Sequence, residues 1–350
     1  MKIIIFIFVI LIIFTKTGNV LSDTNIFNVN NIEIEEEKSK NKEKLLNKAF
    51  RKAFDELTNR LLLKEDYENV SNTNLIDIKK LISYYQIKNS KSEEKQVKTL
   101  KTINVLFDKD KMHMFFNQKN LLYSDIINTE VILFPLLKID EQLYIYTQNY
   151  FYENWGKESN NELIKYILPT ENIENIQLIN TNKENIYKLD IANFFREYDN
   201  QNIVFVYIEI KKRSAEVFLS TKIENKRINK NLTFKNDSNL KEETFFNKII
   251  SEVNILIKDL IKSQNLIDVK TPAFLNAQIK IDKNKNNLFM FNERLQKIDL
   301  VDNFYVQELN KDYVLVKIKY LGKIRKIIDK FKDQNIDLIM KDGRWQLNII

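Results

Sequence analysis

A single imidazole serves the whole chain. His113, in the stretch "DKDKMHMFFNQKN", is the one histidine among 350 residues, and there is no cysteine. A Ser-His-Asp arrangement would have to be built on this residue, and a zinc centre would need carboxylates for nearly all its ligands. His113 stands between Met112 and Met114, behind Asp108 and Asp110, on a segment with a helical pattern. That setting predicts an ordinary surface or half-buried helix residue. Acid–base chemistry between two carboxylates, or a Ser-Lys pair, needs no histidine, yet among 48 acidic residues no pair stands out by spacing. Glycine is scarcer still in effect. Gly18, Gly156, Gly322 and Gly343 lie far apart, whereas a phosphate-cradling loop needs several within a few residues so that backbone amides can approach the anion. A P-loop, a dinucleotide fingerprint and a GxSxG elbow are therefore excluded.

Two other residue groups have chemical potential. Tyr150, Phe151, Tyr152 and Trp155 form an aromatic segment that could line a ligand pocket; their helical spacing predicts packing onto a sheet. Lys211-Lys212-Arg213 and the run from Lys323 to Lys332 could meet an anionic membrane surface, although solvated surface is the default reading of such blocks. No catalytic, cofactor-binding or metal-ligating residue is assigned, and no cofactor is expected.

Location narrows the choice. Lys2 precedes an unbroken apolar run from Ile3 to Phe14, then polar Thr15 to Asn19, then Val20-Leu21-Ser22. That order is the pattern of a secretory signal peptide, cleaved after Ser22. The run is too short for a transmembrane helix, which takes about 20 apolar residues; an inner-membrane anchor formed by residues 3–14 is the alternative. The expected location is the bacterial periplasm, where a chain of this length can fold without disulfides. The net charge of +7 and pI near 9.0 reflect a general richness in Lys, Ile and Asn. Export argues against nucleic acid as the partner.

The elements that must position these residues fall into an α+β pattern of mainly antiparallel sheets with helices on one face. An N-terminal α+β unit spans 23–128, with a helix carrying Leu45, Ala49, Phe50, Ala53, Phe54 and Leu57 on one face, two strands in "LISYYQIK" and "VKTLKTINVLF", and a helix from Met112 to Leu121. A central α/β unit spans 129–268. It opens on "EVILFPLLKI", where Pro135 predicts an edge or terminating position. It continues through the aromatic helix ended by Gly156, a short helix in "ELIKYILP" and another in "LDIANFFREY". The apolar strand "NIVFVYIEI", then "AEVFLSTKI" and "NLTF", lead to a long amphipathic helix from Phe245 to Ile261. A C-terminal unit spans 269–350 in the order β-α-β-β-α-β plus a final strand, matching a ferredoxin-like split βαβ unit, with Asp342-Gly343 in a tight turn. Its charges are confined to turns and one strand face, so it reads as scaffold.

The segments "LLNKAFRKAFDELTNRL", "VILFPLL", "ILPTENIEN" and "DIANFFREYDNQNIVFVYIEI", followed by the terminal "YVLVKIKYLGKIRKIIDKFKDQNIDLIMKDGRWQL", resemble in order the exported proteobacterial domain of unknown function 2066 family. Many expected glycines and tryptophans are replaced by Asn, Lys and Ile. Glu171 and Glu174 stand where the resemblance places an acidic pair; in the first turn of a helix, its dipole alone accounts for them. The resemblance implies a periplasmic or envelope location and no assigned activity, and the order of the central unit is similar to a Tol-type N-terminal domain. Together these readings predict a non-catalytic envelope protein acting as a protein-interaction or assembly module on an envelope protein or the cell wall. A small-molecule or lipid-binding protein is the alternative, and a carboxylate-based or Ser-Lys hydrolase the second.

Overall fold

The computed structural model describes residues 25–35, 42–89, 100–156, 163–189, 195–198, 201–237, 240–280, 287–341 and 343–350. The expected leader and Asp342 lie outside them. In chain order the first elements are β1 (Asn28–Glu35), α1 (Lys42–Leu61), α2 (Lys64–Val70), α3 (Leu75–Leu81), β2 (Ile82–Asn89), β3 (Leu100–Phe107) and α4 (Lys109–Lys119). Then come β4 (Tyr123–Ser124), β5 (Thr129–Ile139), β6 (Gln142–Tyr144), α5 (Tyr150–Asn154), β7 (Ile164–Ile167), α6 (Ile173–Thr181), β8 (Asn202–Lys211), β9 (Ser214–Ile223), β10 (Lys226–Lys235), α7 (Glu242–Ser263) and β11 (Leu266–Ile267). The last group is β12 (Ala273–Lys280), α8 (Asn287–Leu295), β13 (Val301–Leu309), β14 (Tyr313–Tyr320), α9 (Ile324–Asp333), β15 (Ile336–Lys341) and β16 (Arg344–Ile349). The α+β class holds, with antiparallel and mixed sheets.

The chain divides into two compact units. One comprises the residues up to Leu57, Thr73–Gln118 and Ala273–Ile350; the other comprises Thr58–Asn72 and Lys119–Pro272. In the first unit, β1, β3 and β2 form an antiparallel sheet. Helix α1 packs on it because its small and aromatic residues recur at helical spacing: Phe50 meets Tyr85 edge-on at 5.3 Å, and Phe54 lies against Phe107 and Phe115. The same unit holds the C-terminal sheet, ordered β13-β14-β12-β16-β15. Leu275, Ala277, Ile279, Val314, Val316 and Ile318 alternate onto one buried face. Over it, Phe291 of α8 meets Phe304 at 5.5 Å and Phe331 of α9 at 6.5 Å. The final strand is not appended at the edge. It lies between β12 and β15, parallel to β12, with Leu347 brought alongside Ile279 and Leu338. Gly343, at φ +74°, turns the chain back to make this possible.

In the second unit the sheet runs β10-β9-β8-β5-β6, with β7 also beside β5. Strand β5 is parallel to both β8 and β7. The apolar β8 is buried from Ile203 to Ile208, so both faces of the sheet must be covered. Val204, Val206 and Ile208 pack under α5 and α7, while Ile203, Phe205 and Tyr207 pack with Ile179 of α6, Ile186 and Phe195.

Two local expectations change. Within "ELIKYILP", Ile164–Ile167 form a strand, β7, where a helix is expected: they pair with Thr129–Ile132, and that ladder outweighs a short helical pattern. Strand β5 runs through Pro135 rather than ending there. Its partner β7 stops at the level of Ile132 and β6 begins at Leu137, so among the described residues no strand covers the intervening edge. The Pro135 carbonyl points into that gap, where it accepts from Asn149 Nδ2 at 2.9 Å. The missing N–H projects to the same side, away from β8, and costs no ladder bond. Of "LDIANFFREY", only the 3-10 turn Arg196–Tyr198 and its neighbour Phe195 belong wholly to the described residues after Leu189.

Asparagine takes many of the backbone positions that glycine usually fills. Among the described residues, five of the eight non-glycine positions with positive φ are Asn: Asn31, Asn120, Asn128, Asn225 and Asn335. Glu224 and Asn225 make the two-residue β9–β10 turn with φ of 46° and 63°, the signs a type I′ turn demands. Asn202 Oδ1 accepts from Glu224 N–H and Asn265 Nδ2 donates to Glu224 Oε1, holding the unusual glutamate in place.

Candidate functional site

His113 lies on α4, half-buried and edge-on to Phe27 with ring centroids 5.6 Å apart. Burial, reinforced by the charge of Lys109 and opposed by Asp110 and Asp302, holds its pKa down to about 4. It is neutral at neutral pH and packed as part of the core.

The aromatic helix is locked from below by Asn149. This fully buried residue caps α5 through Oδ1, which accepts from Phe151 and Tyr152 N–H at 3.1 and 3.3 Å. Its Nδ2 lies within 3.0 Å of the carbonyls of Pro135, Tyr144 and Ile145. The ring tips are satisfied as well. Trp155 Nε1 donates to Asn254 Oδ1 at 2.7 Å, Tyr150 OH to Asn247 Oδ1 at 2.9 Å, and Tyr152 OH to the Pro169 carbonyl at 2.6 Å. Asn247 and Asn254 are two turns apart on α7, which places both over α5. Phe151 and Trp155 have no exposure. These rings fill core and do not open onto a cleft.

The most perturbed lysine is one that the sequence did not single out. Lys262, on α7, is 2% exposed. Its Nζ donates to the carbonyls of Asn59 and Leu62 at 2.7 and 2.6 Å, at the C-terminal end of α1. Asp259, one turn earlier, accepts from Lys64 N–H at 3.2 Å, at the first residue of α2, whose own N-cap Leu63 has no side-chain acceptor. One turn of α7 thus presents a cation to the end of one helix and an anion to the start of the next, each matching the dipole it faces. Burial lowers the Lys262 pKa to about 8, against the opposing pull of Asp259, and raises that of Asp259 itself. The two charged groups are 3.9 Å apart, too far for their attraction to cancel desolvation. Every partner here is a helix terminus, so the group is a structural knot.

Two facing carboxylates on the central sheet are each paired with a lysine. Glu209 and Glu216 face each other across β8 and β9, but Lys138 meets Glu209 at 3.2 Å and Lys211 meets Glu216 at 2.6 Å. Lys212 and Arg213 are exposed in the β8–β9 turn, and Lys323, Arg325, Lys330 and Lys332 lie on or beside α9, whose Ile327 and Phe331 are buried. Glu174 lies in the first turn of α6, capped by Asn172; Glu171 precedes it. Among the described residues no three His, Cys, Asp or Glu side chains converge as a metal site, and no helix is long and apolar enough to cross a membrane.

The candidate site lies instead on the sheet that the sequence presented as scaffold. Among the described residues, eight of fifteen exposed large hydrophobic side chains fall within Ala273–Ile350, and no strand of the central sheet contributes one. Phe274 and Tyr305 are about half exposed. Register places Phe274 opposite Lys319, and Lys317 opposite both Asn276 and Tyr305, on the outer face. Lys317 Nζ sits 4.4 Å from the Phe274 ring centroid. Val306 and Leu309 are also exposed, but register places them opposite Val316 and Val314, at the open margin of the helix-facing side of edge strand β13. The signal in the sequence was "NFYVQEL", which is apolar in both alternating phases although only one can face the helices.

Fold and surface together define an α+β protein in which part of the C-terminal sheet's outer face is exposed, as are strand β2 and strand β10. Comparison with protein-family models, curated proteins and solved structures finds no match.

Proposed function

We propose that this chain is an exported, non-catalytic protein of the bacterial cell envelope that works by binding another envelope component through its C-terminal sheet. The observation that carries the reading is the half-exposed aromatic pair Phe274 and Tyr305 on the outer face of that sheet, on either side of Lys317. A half-exposed aromatic pair around a lysine, framed by polar neighbours such as Asn276 and Asn303, has the composition of a recognition surface. The apolar run behind Lys2 supports export. A pocket binder would draw on the aromatic helix, whose Phe151 and Trp155 are fully buried.

A photoreactive amino acid at position 305, irradiated in intact cells, tests the reading. Capture of one defined envelope component, lost when Phe274 and Lys317 are replaced by alanine, supports it. Capture that is equally strong from position 226 on the edge of the central sheet overturns it. Intact mass measurement of the cellular protein tests export separately, since a chain beginning at Met1 in the cytosol is incompatible with it.

A further inference from the structure

The two edges of the C-terminal sheet are unlike. Edge β13 is interrupted by two register shifts, and edge β10 of the central sheet carries Lys226, Arg227, Lys230 and Lys235. Bulges and lysines are the usual guards against strand-to-strand association. Strand β15 has neither in its middle. It keeps continuous register with β16 from Ile336 to Lys341, and its exposed side chains there are Ile339 and Met340.

Backbone direction shows what this edge offers. Ile350 N–H donates to the Asn335 carbonyl at 3.0 Å. By alternation, the backbone groups of Asp337, Ile339 and Lys341 also point to β16, and those of Ile336, Leu338 and Met340 point outward. No backbone bond within the described residues takes up the outward groups. Charge then selects a partner. Lys341 lies directly opposite Arg344, two cations side by side, an arrangement that costs stability unless a carboxylate reaches it. Asp337, four residues earlier on the same strand, has no ion pair among the described residues.

We infer that β15 pairs antiparallel with β15 of a second copy of this chain about a two-fold axis at Ile339, joining two five-stranded sheets into one of ten strands. In that register Asp337 of each copy meets Lys341 of the other, twice by symmetry, beside Arg344. Leu338 meets Met340, and these are the residues whose hydrogen-bonding groups face outward. Ile339 meets its own symmetry mate as a non-hydrogen-bonded pair. Moving the axis to Leu338 sets Asp337 against Ile339, and moving it to Met340 sets Lys341 against Ile339. The inference does not rest on the partner surface proposed above, since β13 remains free at both ends of the joined sheet.

Because the chain has no cysteine, Ile339→Cys introduces one thiol. A non-hydrogen-bonded antiparallel pair has Cα atoms about 4.5 Å apart, within the roughly 4.4–6.8 Å a disulfide spans. Diamide, accepting two electrons and two protons from the two thiols, is expected to link the full-length variant into a dimer. A Leu309→Cys control on the other edge is expected to stay monomeric. In sedimentation, Asp337→Lys and Lys341→Asp should each weaken association on the order of tenfold, and the double exchange should restore it. A monomer at all concentrations with no disulfide formed by the Ile339→Cys variant, or a dimer indifferent to all three charge variants, overturns the inference.

Discussion

Strand β8 of the central sheet and strand β14 of the C-terminal sheet show two ways of using apolar residues. In β8 both alternating phases are apolar, and every side chain from Ile203 to Ile208 is buried. In β14 the phases separate: Val314, Val316, Ile318 and Tyr320 are buried, while Leu315, Lys317 and Lys319 are only partly so. A strand of the first kind obliges the chain to supply cover on two sides, which α7 and α6 provide. A strand of the second kind needs cover on one side and leaves the other for water or for another molecule. The central sheet therefore commits its hydrophobic surface to its own stability. The C-terminal sheet keeps part of its surface in reserve.

The largest test of that contrast is in the central unit. Lys262→Met keeps the aliphatic bulk but leaves the Asn59 and Leu62 carbonyls without their donor. Each bare buried carbonyl costs about 1–3 kcal/mol, so a loss on the order of 4 kcal/mol is expected from urea unfolding. A loss below about 1 kcal/mol would show that water replaces the ammonium. The charge adds a pH signature. Folding lowers the Lys262 pKa from 10.5 to about 8. Between these values the unfolded chain holds a proton that the folded chain has released, so this group makes the fold more stable as pH rises from 8 to 10.5. The gain should vanish in Lys262→Met.

His113 gives the other compact unit a signature at the acid end. Its pKa falls from 6.5 unfolded to about 4 folded. Its contribution is complete above pH 6.5 and is lost as pH falls through 4, amounting to roughly 3 kcal/mol at about 1.4 kcal/mol for each pH unit. His113→Phe should flatten the stability profile between pH 6.5 and 4 relative to the parent chain. An unchanged slope would mean that the ring is solvated in the folded state. The two variants thus probe opposite ends of the pH scale, one in each unit.

What was legible in the sequence was what is local. The amphipathic faces of α1 and α7, the doubly apolar β8 and the alternating β14 could be read because 3.6- and 2-residue periods are properties of adjacent residues. The Lys262 and Asp259 knot was not legible, because its partners lie 195 to 203 residues away in the chain. "ELIKYILP" misled because eight residues carry too little period to decide between helix and strand, and a parallel partner decided for Ile164–Ile167. The reserve surface was missed for a related reason. Which strands are edges depends on sheet order, and the insertion of β16 between β12 and β15 is set by pairing partners rather than by any residue of β16 alone.

Asn149 sharpens the comparison at a smaller scale. It combines a helix cap with carbonyl contacts to β5 and the end of β6, and its loss in Asn149→Ala should cost about 2 kcal/mol. Asn149→Asp should cost more, because a carboxylate retains the cap but turns an anion toward three carbonyl oxygens. If aspartate is the milder change, the cap to Phe151 and Tyr152 outweighs the carbonyl contacts.

The smallest expected effect on folding is the most informative about function. Phe274 interacts with Lys317 on an exposed face, and such an exposed cation–π contact is worth about 0.5–1 kcal/mol. Phe274→Ala should therefore shift the urea midpoint little, and by less than either buried substitution. If the open sheet face is a recognition surface, the same change removes a half-exposed ring from its centre, where a truncated aromatic anchor costs at least about 2 kcal/mol of binding, or roughly thirtyfold in affinity. Capture of a partner from position 305 should fall by that factor while the unfolding curve barely moves. The opposite outcome, a large loss of stability with undiminished capture, would mean that Phe274 belongs to the core. The C-terminal sheet would then be covered in the same sense as the central one, and the distinction between the two would disappear.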